Sequence, residues 1–326
     1  PELFTAQAEK RVRLGMILGE LMKDNVLAVS ADKLKERATE IASSYENPQM
    51  VIDYYLNEWH AVHYPAWIAA SGERAGTEIC VAYAWGEIDA PDGTTNKEWC
   101  SARNIELLDS IEDVCRRSDY IIILSPDNSE KHLDYVRRAA PFGKPIFVDK
   151  TFAPDLATAR EIFRLSEEYG TPLFSTSSLR YAEEILPFHG DARQIVTTGK
   201  GPDLATYAVH QLEMVIKILG TDVESVTALI SGPVTSLHYQ FSDGKNAVVN
   251  FGFKTRMPYS VCVETASGES YYAEIVSEFF PRFIDALVSS YDSGVLPVAK
   301  EETLAVIACI EAAEKAVENP GVRIDI

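Results

Sequence analysis

Several side chains of this sequence have types and spacings suited to proton exchange and to holding a hydroxyl or an anion. Lys150 comes just after the apolar run 145–148, a place where functional groups of parallel sheets collect. An ammonium there can donate to a substrate hydroxyl or hold an anion. His210 lies three residues after Tyr207, so on a helix the two share a face, and an imidazole exchanges protons near neutral pH. An ordinary surface lysine and a locally satisfied helix histidine are the plainer readings of the same residues. Further clusters are Ser125-Pro126-Asp127-Asn128 with His132, Asp149 beside Lys150, and Ser177-Ser178 with Arg180-Tyr181. His60 and His63 form an HxxH pair that could share a helix face, but no third or fourth ligand lies at a supporting spacing, so no metal is expected. Trp59, Tyr64 and Trp67 beside that pair could cover the C–H face of a sugar.

The elements needed to position these groups alternate along the chain. The continuously apolar Tyr120-Ile121-Ile122-Ile123-Leu124 reads as a strand covered on both faces. A helix over 129–140, a strand over 145–148, a helix over 155–169 and a strand over 173–175 follow in βαβ rhythm. Upstream, 12–18 reads as a buried strand, 31–43 as a helix, and 64–70 as a helix stopped by Ser71-Gly72. A strand over 78–85 and a helix capped by Asp109-Ser110 and running to Arg117 come next.

After about residue 190 the rhythm changes. A helix over 204–219 ending at Gly220 precedes strand-like segments at 223–230, 234–241, 246–253, 258–265 and 270–276, with Asp243-Gly244 as a hairpin turn. Val249, Phe251 and Phe253 give one sheet face an apolar character that helices or a second subunit must cover. Helices near 278–290 and 301–318 close the chain. The expected fold class is α/β: a Rossmann-like parallel-sheet domain, then an α+β domain with an open, mainly antiparallel sheet. The domain boundaries read as 1–150, dinucleotide-binding in type with an atypical amino-terminal segment, and 151–326, for substrate and self-association.

Composition narrows the partners. The 326 residues carry 30 Lys plus Arg against 49 Asp plus Glu, a formal charge of −19 that disfavours nucleic acid and anionic membranes. The five scattered cysteines form no CxxC pair and suit free thiols in a reducing compartment. The opening PELFTAQAEK lacks the pattern of a signal peptide, so a cytoplasmic location is expected.

The stretch 120–181, with SPDNSEKH, GKPIFVDKT and LATAREIFRLSEEYGTPLF, resembles the glucose-fructose oxidoreductase, inositol dehydrogenase and rhizopine catabolism (Gfo/Idh/MocA) family. GPDLATYAVHQLEMVIKILG, 201–220, is similar to that family's helix bearing the catalytic histidine, and the later strands with FFPRFIDALVSSYDSG also fit. The resemblance implies an NAD- or NADP-dependent oxidoreductase acting on a sugar, cyclitol or related polyol; the apolar strands 247–253 and 258–263 add the expectation of a homo-oligomer formed through the carboxyl-terminal sheet. Lys150 takes the place of the lysine that holds the reacting hydroxyl, His210 that of the proton-exchanging histidine, and Tyr207 joins them. Pro126, Asn128 and His132 correspond to the loop and helix start beside the nicotinamide. Trp59, His60, His63, Arg180 and Tyr181 are the expected substrate contacts.

Two features depart from the family pattern. Thr151 stands where proline usually follows the lysine, and no G-x-G-x-x-G turn is present. Gly15 and Gly19 in LGMILGELMKDN are the candidates for close backbone approach to a pyrophosphate, with 12–18 as the first strand. That alignment makes 20–56 an insertion before a helix beginning near His60; alternatively 50–56 is the first strand and 1–49 an added segment, and either way Glu58 or Trp59 lies near the phosphates. A non-redox lyase or hydrolase on carbohydrate, or a non-catalytic sensor or scaffold, are the other functions that such a chain could serve.

Overall fold

The computed structural model describes residues 59–89, 94–125, 128–188 and 191–326. The strand and helix readings at 12–18, 31–43 and 50–56 lie outside them. The described residues divide into two units. One holds 59–62, 86–89 and 94–99; the other holds 63–85 and 100–326. In the first, the Asn96 side-chain amide donates to the Gly86 and Ile88 carbonyls, at 3.3 and 3.0 Å, and Asp89 accepts from the Asn96 backbone amide.

The second unit begins within helix α1 (Trp59–Ala75). Ser71-Gly72 does not stop this helix, which continues to Gly76 with φ +71°. Gly72 serves close approach instead: a Cβ there would meet Ile79 Cγ2 at 2.5 Å and the Thr77 carbonyl at 2.9 Å. The Ser71 hydroxyl donates to Asp285 at 2.6 Å, tying α1 to a later helix.

Five short parallel strands follow. β1 (Tyr83–Ala84) pairs with β2 (Glu106–Leu107), while β3 (Ile121–Ile123), β4 (Ile146–Val148) and β5 (Leu173–Phe174) form a separate sheet in that order. Among the described residues no strand joins the two sheets. Helix α2 (Asn96–Ala102) precedes β2, and α3 (Ile111–Arg117) is capped by Ser110, whose side chain accepts from the Asp113 amide. α4 (His132–Ala139) links β3 to β4, and α5 (Leu156–Tyr169) links β4 to β5. Asp155 caps the start of α5, and Gly170 ends it in the left-handed conformation at φ +62°. All of β4 is buried, as its apolar run requires, because helices cover both faces. α7 (Phe279–Ser293) supplies one cover, with Phe283 5.3 Å from Phe147 in β4 and 5.8 Å from Tyr64 in α1.

The rhythm changes where the sequence indicates it. β6 (Ala192–Gly201) opens a seven-stranded sheet, and α6 (Leu204–Leu219) follows it. The remaining strands are β7 (Val223–Ser231), β8 (Val234–Phe241), β9 (Asn246–Phe253), β10 (Ser260–Thr265), β11 (Ser270–Glu274) and β12 (Arg323–Asp325). Their order is β11-β10-β6-β9-β8-β7-β12. The sheet is mainly antiparallel, with one parallel pair, β6 with β9, at its centre. α6 and α8 (Lys300–Glu318) cover one face, so Val249 and Phe251 have no exposed surface and this chain's own helices supply the expected cover. The opposite face carries a register-matched row of Thr227, His238, Val248, Val196, Cys262 and Tyr272.

Candidate active site

Lys150 emerges at the carboxyl end of β4, 7% exposed, and its ammonium lies 5.2 Å from the centre of the Tyr207 ring. A cation over an aromatic face is stabilised by the ring quadrupole. His210, one turn further along α6, meets the same ring edge-on, with centroids 5.6 Å apart. The three expected catalytic side chains therefore converge, with Tyr207 in contact with the other two.

Several bonds fix this arrangement. The Thr151 hydroxyl donates toward the carbonyls of Ala205 and Thr206, at 3.3 and 3.2 Å, joining the lysine loop to the first turn of α6. Thr151 thus makes a tie that proline could not. The Lys150–Thr151 peptide is cis. Asp149 accepts from the Lys150 amide at 2.8 Å. On α6, Asp203 caps the helix by accepting from the Thr206 amide and hydroxyl. Gly201 makes room for Tyr207: a Cβ there would come within 2.3 Å of the tyrosine Cβ. The Tyr259 ring stands 6.0 Å from His210, and its hydroxyl donates to the Lys200 carbonyl.

Below His210 lies a buried polar network. Ser177 Oγ is 2.7 Å from His210 Nδ1. The Ser177 amide and the Thr176 hydroxyl both donate to Glu213, each at 3.3 Å, and Arg180 pairs with the same carboxylate at 3.2 Å. Arg180 also pairs with Glu302, and Lys217 donates to the Arg180 carbonyl at 2.7 Å. Burial pushes the Glu213 carboxyl up from its usual range, against the pull of Arg180. Burial, with Arg180 adding to it, brings Lys217 down to about 8.

Other expected contacts take different places. Arg180, read as a substrate contact, has a side chain only 8% exposed and is committed to Glu213 and Glu302. Tyr181 packs on Phe283 at 5.7 Å, its hydroxyl is buried, and burial pushes the phenol up from its ordinary value. His132, read as a cofactor neighbour, has no exposed surface. Its Nδ1 bonds the Phe152 carbonyl at 2.9 Å, and burial pulls the imidazole down from its ordinary value. It acts as an inner tie on the lysine loop. Asn128 remains exposed after β3, and Pro126 and Asp127 lie outside the described residues. His60 and His63 share α1; His63 stacks on Trp67 at 5.0 Å, and Tyr64 and Trp67 pack on α7 rather than forming an open sugar platform. The Trp59 side chain is outside the description. Among the described residues no cluster of three or more metal-ligating side chains occurs, and no helix is long and apolar enough to cross a membrane.

Glu213 and Tyr259 are the members that sequence reading missed. The available signal for Glu213 was a carboxylate three residues after His210, between the apolar Leu212 and Met214 of α6.

The parallel strands agree with what the family comparison finds over the same stretch. Residues 66–177 match the model described as "Oxidoreductase family, NAD-binding Rossmann fold". Over these residues the chain is similar to the Gfo/Idh/MocA oxidoreductase family. Likeness in fold to solved structures extends beyond that match. GenD2 from gentamicin A biosynthesis, solved in complex with NAD, superposes with a TM-score of 0.65 at 13% identity, covering 81% of this chain and 94% of that one. An oxidoreductase from Agrobacterium radiobacter, solved with NAD+, L-tartaric acid and magnesium, gives a TM-score of 0.63 at 16% identity, covering 81% and 96%.

The amino-terminal segment has a different likeness. Residues 1–63 match the model of the bacterial trigger factor C-terminus. Trigger factor of Herminiimonas arsenicoxydans is 50% identical over 58 residues, 18% of this chain and 13% of that protein. That of Colwellia psychrerythraea is 50% identical over 56 residues, 17% and 13%. The chain thus spans about an eighth of the length of these curated relatives. Gly15, Gly19 and both candidate first strands, 12–18 and 50–56, fall within the trigger factor match, and the Gfo/Idh/MocA match begins only at residue 66.

Proposed function

We propose that residues 66–326 act as an NAD- or NADP-dependent oxidoreductase on a sugar, cyclitol or related polyol. The observation that carries this reading is the convergence of Lys150, Tyr207 and His210 at the carboxyl end of β4, where ligands of parallel sheets bind. The residues there suit the nicotinamide end of a dinucleotide: an exposed amide at Asn128 follows β3, and an ammonium at Lys150 follows β4. When bound, the nicotinamide supplies the hydride acceptor or donor. Lys150 would hold the reacting oxygen by donating to it, and His210 would exchange the proton that this oxygen loses or gains. Tyr207 would keep the ammonium and the imidazole at a fixed separation. Self-association through the face carrying His238, Val248 and Tyr272 belongs to the same reading.

A second reading, non-redox chemistry on a carbohydrate, rests on one observation: every stretch considered for the glycine turn lies within the trigger factor match. Calorimetric titration of the full chain with NAD and NADP separates the two. The redox reading expects binding of one dinucleotide, and Lys150→Ala should abolish turnover with that affinity nearly unchanged. Sugar binding with no dinucleotide binding at millimolar concentration would favour the second.

A further inference from the structure

Ser177 carries no role in the chemistry described so far, yet its geometry constrains His210. The residue has no exposed surface, and Oγ has two partners. The Leu179 amide donates to it at 3.2 Å, where Ser177 caps a short 3-10 turn, 178–181. His210 Nδ1 lies at 2.7 Å. An amide can only donate, so one lone pair of Oγ is taken. The hydroxyl hydrogen then needs an acceptor, and the imidazole nitrogen is the partner at hand. If a neutral ring instead donated from Nδ1, the serine hydrogen would be left buried without a partner, which is the costlier arrangement.

We propose that Ser177 is the positioning residue of His210, holding its neutral ring with the proton on Nε2. This rests on the reading of His210 as the proton-exchanging group. The consequence is that neutral His210 presents an N–H, not a lone pair, on the side away from Ser177. To accept a proton at Nε2 the ring must first carry its proton on Nδ1, and the serine hydroxyl must turn to accept from it. The serine itself is held from behind, because its amide donates to Glu213 and that carboxylate is anchored by Arg180 and the Thr176 hydroxyl. The arrangement couples the state of the histidine to a rigid buried cluster rather than to solvent.

Ring-nitrogen NMR of the full chain labelled at histidine tests this directly, with His210→Gln assigning the signal among the six histidines. At alkaline pH, where the ring is neutral, wild type should show an acceptor-type Nδ1 and a protonated Nε2. Ser177→Ala should move both shifts toward a mixture of tautomers, while Ser177→Thr, which keeps the hydroxyl, should retain the wild-type pattern. The other five histidine signals report whether each variant keeps its fold. A protonated Nδ1 in wild type, or identical His210 shifts in wild type and a folded Ser177→Ala, would overturn the proposal. An absence of any redox turnover in wild type would count against the proposed function alone, since the tautomer is read without activity.

Discussion

Removing Arg180 should expose how the site is held from below. In Arg180→Met the Glu213 carboxylate, 4% exposed, loses the guanidinium paired with it at 3.2 Å, and the amide and hydroxyl donors from Ser177 and Thr176 are left to hold it. Breaking a buried ion pair from one side costs about 3–5 kcal/mol, because the remaining charge stays buried. Glu302, with 24% of its side chain exposed, can turn to water and adds little to this loss. The loss should depend on pH. Burial already raises the Glu213 carboxyl above its unfolded value, and Arg180 opposes that rise, so the variant's folded value must climb further. A carboxyl with a raised folded value binds its proton more tightly when folded. Its stabilising effect is therefore complete below the unfolded value and is lost as pH rises through the folded one. Urea unfolding at pH 7 and pH 5 should show the penalty shrinking toward acid by up to about 1.4 kcal/mol per pH unit. Glu213→Gln in the Arg180→Met background should restore much of the stability at pH 7, since it removes the stranded charge and keeps an acceptor for Ser177. A penalty below about 1 kcal/mol at pH 7, or equal penalties at both pH values, would refute the reasoning.

Further outcomes follow from other contacts. Gly201→Ala places a methyl 2.3 Å from the Tyr207 Cβ, so it should destabilise by about 1–3 kcal/mol in thermal or urea unfolding and lower turnover by displacing the tyrosine in contact with Lys150 and His210. A charge placed at Tyr272, which is 66% exposed on the open sheet face, should weaken self-association in sedimentation experiments; a chain that is monomeric to begin with removes that part of the account.

Much of the fold is legible in the residues themselves. The Ile121–Ile123 run, the cap at Ser110 and the glycines at 170 and 220 mark elements that local chemistry specifies, and the structure has them. The five strand segments after 220 are present for the same reason, since alternation shows when one face is buried and the other is not. β6 escapes such reading because Gly199 and Gly201 speak against a strand. Both are there for close approach, Gly199 to Gln211 and Tyr259 and Gly201 to Tyr207, and only the assembled sheet shows this. The site divides in the same way. Lys150 and His210 declare themselves by type and by position after a strand or along a helix. Arg180 and His132 have equally reactive types but are turned inward, and the partners that decide this, Glu302 and the Phe152 carbonyl, are fixed by tertiary packing. The likeness of residues 1–63 to trigger factor was not read from the sequence alone and came from comparison with known proteins.

The central claim is hydride exchange between a polyol carbon and a nicotinamide at the Lys150–His210 site. Incubating the full chain with NAD or NADP and polyols deuterated at their carbinol carbons, then examining the nicotinamide by mass spectrometry, tests it most directly. The account predicts deuterium on the reduced nicotinamide with one of the two dinucleotides, and none with Lys150→Ala. Bound dinucleotide and polyol with no label transferred by the wild-type chain would contradict it.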